Sequence, residues 1–89
     1  MPTRDVTIIN KLGLHARAAA KFVAMAGRYQ AGIQVHRDGK TVNGKSIMGM
    51  MMLAAGRGTT LTLEADGEDA SEALDALETL INARFEEAE

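Results

Sequence analysis

Cysteine is absent from the 89 residues, which removes disulfides, thiolate metal sites and cysteine nucleophiles together and suits a reducing compartment. Aromatic side chains make up only 3%, too few for a surface that stacks nucleic-acid bases. Neither sign of charge dominates. A formal net charge of -2 supplies no general pull toward nucleic acid or an anionic membrane, so any basic surface has to be local. Long apolar runs are missing as well. The opening Met1-Pro2-Thr3-Arg4-Asp5 holds no signal core and no window reaches the length of a membrane span. The expectation is a soluble, cytoplasmic protein with no nucleic-acid or membrane partner. What is present, 46% hydrophobic residues, suffices for one core but not for separate cofactor and substrate domains, so a single domain over 1–89 is expected.

Periodicity divides the chain into seven elements. Arg4 to Ile9 alternates as a strand with Val6 and Ile8 on one face. After the loop Asn10 to His15, the apolar residues Ala19, Phe22, Val23 and Ala26 recur at helical spacing. That predicts a helix from near His15 to Gly27, with the glycine as its C′ residue. Ile33 and Val35 alternate with Gln34 and His36, and Asp38-Gly39 supplies a tight hairpin turn before Thr41 and Val42. Ser46 is placed to cap a helix from Ile47 to about Ala55, ended by Gly56-Arg57-Gly58; Leu61, Leu63 and Ala65 then mark a fourth strand. Asp66-Gly67-Glu68-Asp69 puts acidic groups at the start of the last helix. Its stripe of Ala70, Ala73, Leu74, Leu77, Leu80 and Ile81 runs toward Phe85. The order βαββαβα, without linker or repeat, predicts an α+β fold: an open-faced two-layer sandwich with three helices on one face of a four-stranded antiparallel sheet.

Chemistry concentrates at the start of the first helix. A neutral imidazole is nucleophilic near pH 7, and the N–P bond it forms stays labile enough to pass the group on. With His15 at the helix boundary, the free N–H groups of Ala16, Arg17 and Ala18 point toward a phosphate on its ring, and the positive helix end favours that charge while disfavouring imidazolium. One helix end contributes only about 0.3–1 kcal/mol in exposed settings. Arg17 adds a permanent fork of donors for phosphate oxygens, and Lys45 a point charge if the second helix begins nearby. The plainer reading makes His15 a polar cap and Arg17 surface charge. His36, on a strand, reads as a surface side chain with no role.

The run Asn10-Lys11-Leu12-Gly13-Leu14-His15-Ala16-Arg17 resembles the active-site signature of the HPr family, the histidine phosphocarriers of the phosphoenolpyruvate-dependent phosphotransferase system. Gly44-Lys45-Ser46-Ile47-Met48-Gly49 is similar to that family's regulatory serine segment, and the likeness extends over the whole chain. The resemblance implies that His15 is phosphorylated through Nδ1, that Arg17 stabilises the phosphate, and that Ser46 is open to a regulatory kinase. It implies enzyme I as donor, enzyme IIA-type acceptors, the HPr kinase/phosphorylase as regulator, and a carrier rather than an enzyme. It also implies a monomer that needs no cofactor or metal. One position departs: Ala18 stands where many members have proline, which costs some rigidity but frees one more amide donor. That alanine, with Met50-Met51-Met52-Leu53, looks more like proteobacterial carriers, including the nitrogen-related branch called NPr.

The second helix is apolar nearly all round, more than one buried stripe requires. Its phase puts Met50 and Leu53 inward, and Ile47, Met48, Met51 and Met52 on a docking side, where flexible methionines suit several unrelated partners. All of these methionines can equally be core. A phosphate on Ser46 would add about two negative charges at the rim of that patch and hinder docking more than folding.

Two rivals come from other classes. Gly39-Lys40-Thr41-Val42-Asn43-Gly44-Lys45-Ser46 formally matches a phosphate-binding P-loop, but such a loop follows a buried parallel strand, and this stretch reads as a hairpin. A binding module for RNA, with no chemistry, is opposed by the charge balance and the scarce aromatics.

Overall fold

A computed structural model describes residues 1–88. The elements are β1 (Thr3–Thr7), α1 (Ala16–Ala26), β2 (Gly32–Arg37), β3 (Lys40–Asn43), α2 (Ile47–Met52), β4 (Thr60–Asp66) and α3 (Ala70–Asn82), followed by a short turn, Arg84–Glu86. The four strands form one antiparallel sheet in the order β1-β4-β2-β3. In register, Val6 pairs with Leu61, Val35 with Leu63 and Ile33 with Ala65, and all six side chains are buried on one face. Against that face lie Phe22 of α1, Met50 of α2, and Leu74, Leu77 and Ile81 of α3. The opposite face carries Thr62, Glu64, Gln34 and His36, as expected of an antiparallel sheet open to water on one side. The architecture is the predicted open-faced sandwich, and every residue named for the α3 stripe is buried.

Several boundaries differ, each for a local reason. β1 ends at Thr7 rather than Ile9, although Ile8 stays buried and its amide still donates to Thr59 at 2.9 Å. Gly27 is not a left-handed C′ glycine: its φ of -67 is helical, and its amide donates to the Val23 carbonyl. α2 stops at Met52 instead of near Ala55, because Ala54 turns to φ 52 and the Arg37 guanidinium takes the carbonyls of Leu53 and Ala54. Leu53 and Ala55 are core residues all the same, so the apolar pattern outruns the helix. Asp38 and Gly39 both have positive φ, the geometry that a two-residue hairpin favours.

Asp69 makes no cap bond to its own helix. Its carboxylate accepts from the amides of Gln30 and Ala31, tying the loop after α1 to the start of α3. The Gln30 amide is the chief cause that holds its carboxyl below the usual range.

Phe85 is also off the helix. Arg84, Phe85 and Glu86 all take left-handed backbone, with φ of 57, 53 and 64, a conformation that costs side-chain-bearing residues about 1–2 kcal/mol each. Opposing that cost, Phe85 is fully buried and its carbonyl accepts from the Lys21 ammonium at 2.8 Å. The turn sends the C-terminal segment back across the start of α1.

Candidate functional site

The loop between β1 and α1 is closed by Asn10. This side chain is fully buried, and its amide group donates to the Gly13 carbonyl at 2.8 Å, while the Gly13 amide donates back to the Asn10 carbonyl at 3.1 Å. Gly13 has φ +70, and a Cβ there would meet the Ala55 carbonyl oxygen at 2.7 Å and Gly56 Cα at 2.8 Å, so both backbone angle and space demand glycine. Leu14, buried, donates its amide to that same Ala55 carbonyl at 2.8 Å. The chain is thereby pinned on both sides just before His15.

His15 is the N-cap residue of α1, in extended conformation, and its side chain makes no capping hydrogen bond. Its imidazole is free for other work, which removes the polar-cap reading. The first helical bond runs from the Ala19 amide to the His15 carbonyl at 2.8 Å, leaving the amides of Ala16, Arg17 and Ala18 without helical partners. Of these three, Ala16 and Arg17 are exposed, whereas Ala18 is fully buried, so its amide is not open to solvent in this conformation. The Arg17 guanidinium makes no hydrogen bond or ion pair among the described residues.

Opposite the helix end, the His15 ring meets Glu87. Nε2 lies 2.5 Å from a Glu87 carboxylate oxygen, with the two side chains 27% and 14% exposed. The other Glu87 oxygen accepts from the Asn10 amide group at 2.9 Å. That bond, ahead of the contacts from His15 and the charge of Arg17, holds the Glu87 carboxyl below its usual range, while partial burial works against it. Glu87 also lines a groove of about 590 Å³ together with Lys11, Arg17, Lys21 and Glu86. The arrangement can present one imidazole nitrogen, the helix-end amides of two exposed residues and a guanidinium without a hydrogen bond or ion pair among the described residues to an incoming anion.

Lys45 is elsewhere, since the second helix does not begin near His15. Its ammonium donates to the Tyr29 carbonyl at 2.8 Å, beyond the C-terminal end of α1, because α2 runs antiparallel to α1. The other end of the α2 segment, at Ala55, is the one that touches Leu14. Ser46 accepts from the Gly49 amide at 3.0 Å as the N-cap of α2, so it sits at the end of that helix away from His15. Met50 and Leu53 are buried; Ile47 (44%), Met48 (71%), Met51 (43%) and Met52 (68%) are exposed. Leu12, in the loop before His15, is also an exposed large apolar residue at 69% and was not anticipated. His36 lies on the open sheet face with Nδ1 at 2.8 Å from the Thr41 hydroxyl and Nε2 at 2.8 Å from Glu64. The P-loop reading fails, since residues 40–43 form an antiparallel hairpin strand and the Lys45 amine is committed.

Asn10 and Glu87 were missed from sequence. No local motif reveals Glu87, which reaches His15 from 72 positions away.

A family profile described as "PTS HPr component phosphorylation site" matches residues 2–83. The chain is 61% identical over 90 residues to a phosphocarrier protein HPr of Pseudomonas aeruginosa, covering all of both chains. It is 47% identical over 85 residues to a phosphocarrier protein NPr of Shewanella violacea, covering 96% of this chain and 93% of that one. Among solved structures, HPr-C-His of Thermoanaerobacter tengcongensis superposes with a TM-score of 0.96 at 45% identity, covering both chains completely. Sequence, fold and the glycine-pinned histidine at the start of α1 agree: the chain belongs to the HPr family of the phosphotransferase system and is a phosphocarrier, not an enzyme.

Proposed function

We propose that His15 is the acceptor, that it receives its phosphoryl group from a phosphohistidine of enzyme I, and that it passes the group to a histidine of an enzyme IIA-type protein. The observation that carries this reading is the His15 ring itself, partly exposed and unused as a cap, beside the helix end at the exposed residues Ala16 and Arg17 and an Arg17 guanidinium with no hydrogen bond or ion pair among the described residues. In the transfer, the Nδ1 lone pair attacks phosphorus in line, the N–P bond of the donor breaks, and its electron pair returns to the donor ring. Arg17 and the helix end meet the phosphoryl oxygens as they arrive. The Ala18 amide, also without a helical partner, is the third donor at that helix end. No nucleotide or metal takes part, and the whole of 1–89 acts as one monomeric cytoplasmic carrier domain. Incubation with phosphoenolpyruvate and enzyme I, followed by mass spectrometry at neutral and acid pH, tests the reading.

Docking falls to Ile47, Met48, Met51 and Met52, with Leu12 at the edge nearest the ring. These exposed apolar side chains form a rim that a partner active site can cover while excluding water. Ser46 is the regulatory position, the substrate of an HPr kinase/phosphorylase. Because it lies at the far end of α2, a charge there acts on docking and not on the ring. Ser46→Asp is expected to raise the apparent KM of enzyme I for the carrier about tenfold, equivalent to ~1.4 kcal/mol, with maximal rate and melting temperature little changed. Steady-state transfer assays check this.

A second reading places the chain in the nitrogen-related branch, with no direct role in sugar transport. Ala18 and the similarity to an NPr support it. Offering the phosphorylated protein sugar-type and nitrogen-type IIA acceptors side by side separates the branches.

A further inference from the structure

We infer that Glu87 is a positioning residue for the transfer: it keeps the proton on Nε2 of His15, directs attack to Nδ1, and balances the positive charge that the ring acquires when Nδ1 takes the phosphoryl group. This rests on the relay proposed above and goes beyond it in assigning work to the C-terminal segment.

An ionised carboxylate can only accept, so the 2.5 Å contact requires the hydrogen on Nε2 and leaves the lone pair of the neutral ring on Nδ1. The electron count then closes without any proton moving. The Nδ1 lone pair becomes the new N–P bond; the old N–P bond breaks onto a donor phosphoimidazolium, which becomes neutral; the His15 ring becomes a phosphoimidazolium that keeps its Nε2–H. A fixed anion facing that N–H stabilises the cationic product, much as a carboxylate behind a catalytic histidine stabilises imidazolium. It also keeps the N–P bond labile, because a cationic ring is the better leaving group.

The contact is built rather than incidental. Glu87 is held from its other oxygen by the buried Asn10, the residue that also closes the loop before His15. The segment is aimed by the left-handed turn at 84–86, anchored by buried Phe85 and by Lys21 on its carbonyl. Other charged groups in the groove that Glu87 lines are Arg17 and Lys21 of α1, Lys11 of the loop and Glu86 of the turn. Glu86 lies 3.5 Å from the Lys21 ammonium, and among the described residues Glu87 is the carboxylate on the ring.

The test uses full-length wild type, Glu87→Gln and Glu87→Ala with 15N-labelled histidine, phosphorylated by enzyme I and phosphoenolpyruvate, or by phosphoramidate where a variant docks poorly. The ring nitrogens of phospho-His15 are followed by NMR against pH, and hydrolysis is timed in parallel. Both variants are expected to lower the titration midpoint of the phosphorylated ring by about one unit and to slow hydrolysis above that midpoint about tenfold. Glu87→Gln, which retains an acceptor for Asn10, should melt like wild type. Midpoints and hydrolysis rates equal to wild type in both variants would overturn the role of Glu87 while leaving the relay standing. Failure of enzyme I to phosphorylate wild type would instead remove the relay and this inference together.

Discussion

His15→Ala is expected to take no acid-labile phosphate from phosphoenolpyruvate and enzyme I, where wild type takes one group per chain. The loss should be complete, not partial, because no second acceptor is presented in the same way. His36, the other histidine, has both ring nitrogens engaged by Thr41 and Glu64 on the open sheet face, away from any helix end. The fold should survive. The His15 ring makes no capping bond, and the loop before it is held by Asn10, Gly13 and Leu14 through backbone contacts that the substitution leaves alone. Intact-mass measurement before and after brief acid treatment, with circular dichroism on the same samples, checks both halves. Phosphate on the alanine variant, or an unfolded variant, would contradict the account.

Arg17→Ala should slow transfer about 100- to 1000-fold, the range found when one preorganised donor to a developing anion is removed. Melting temperature should hardly move. The two halves of this expectation share one cause: the guanidinium has no hydrogen bond or ion pair among the described residues, so its removal breaks nothing in the resting protein. Apart from its charge acting on Glu87, its contribution begins when a phosphoryl group arrives. Arg17→Lys should recover only part of the rate, since a single ammonium lacks the planar fork that grips two oxygens at once. Rapid-quench measurement of transfer from phosphorylated enzyme I gives these rates. A normal rate in Arg17→Ala would show that the helix end and docking suffice without it.

The regular parts of the fold were legible because each obeys one periodicity. Leu61, Leu63 and Ala65 alternate, the α3 residues recur at helical spacing, and Asp38-Gly39 is a turn that few other pairs can make. Ser46 as a cap was readable for the same local reason. The errors arose where tertiary partners overrule local pattern. Arg37 from β2 closes α2 early. The condition on Lys45, that α2 begin near His15, could not be decided from sequence, and the antiparallel run of α2 carries it to the far end of α1.

At the candidate site, the residues from Asn10 to Arg17 are contiguous, and their spacing alone suggested a ring at a helix end. Glu87 belongs to the same site through a three-residue left-handed turn that no propensity favours. The helical stripe before it pointed only as far as Phe85. Only the burial of Phe85 and the Asn10 contact bring the carboxylate back to the ring.

A relay must run in both directions, and that is the most direct measurement. Phosphorylated protein, freed of donor and mixed with unphosphorylated enzyme I and pyruvate, should lose its acid-labile phosphate while phosphoenolpyruvate appears in matching amount. Phosphate that stays on the protein, or leaves it only as inorganic phosphate, would contradict the claim that His15 holds the group for transfer.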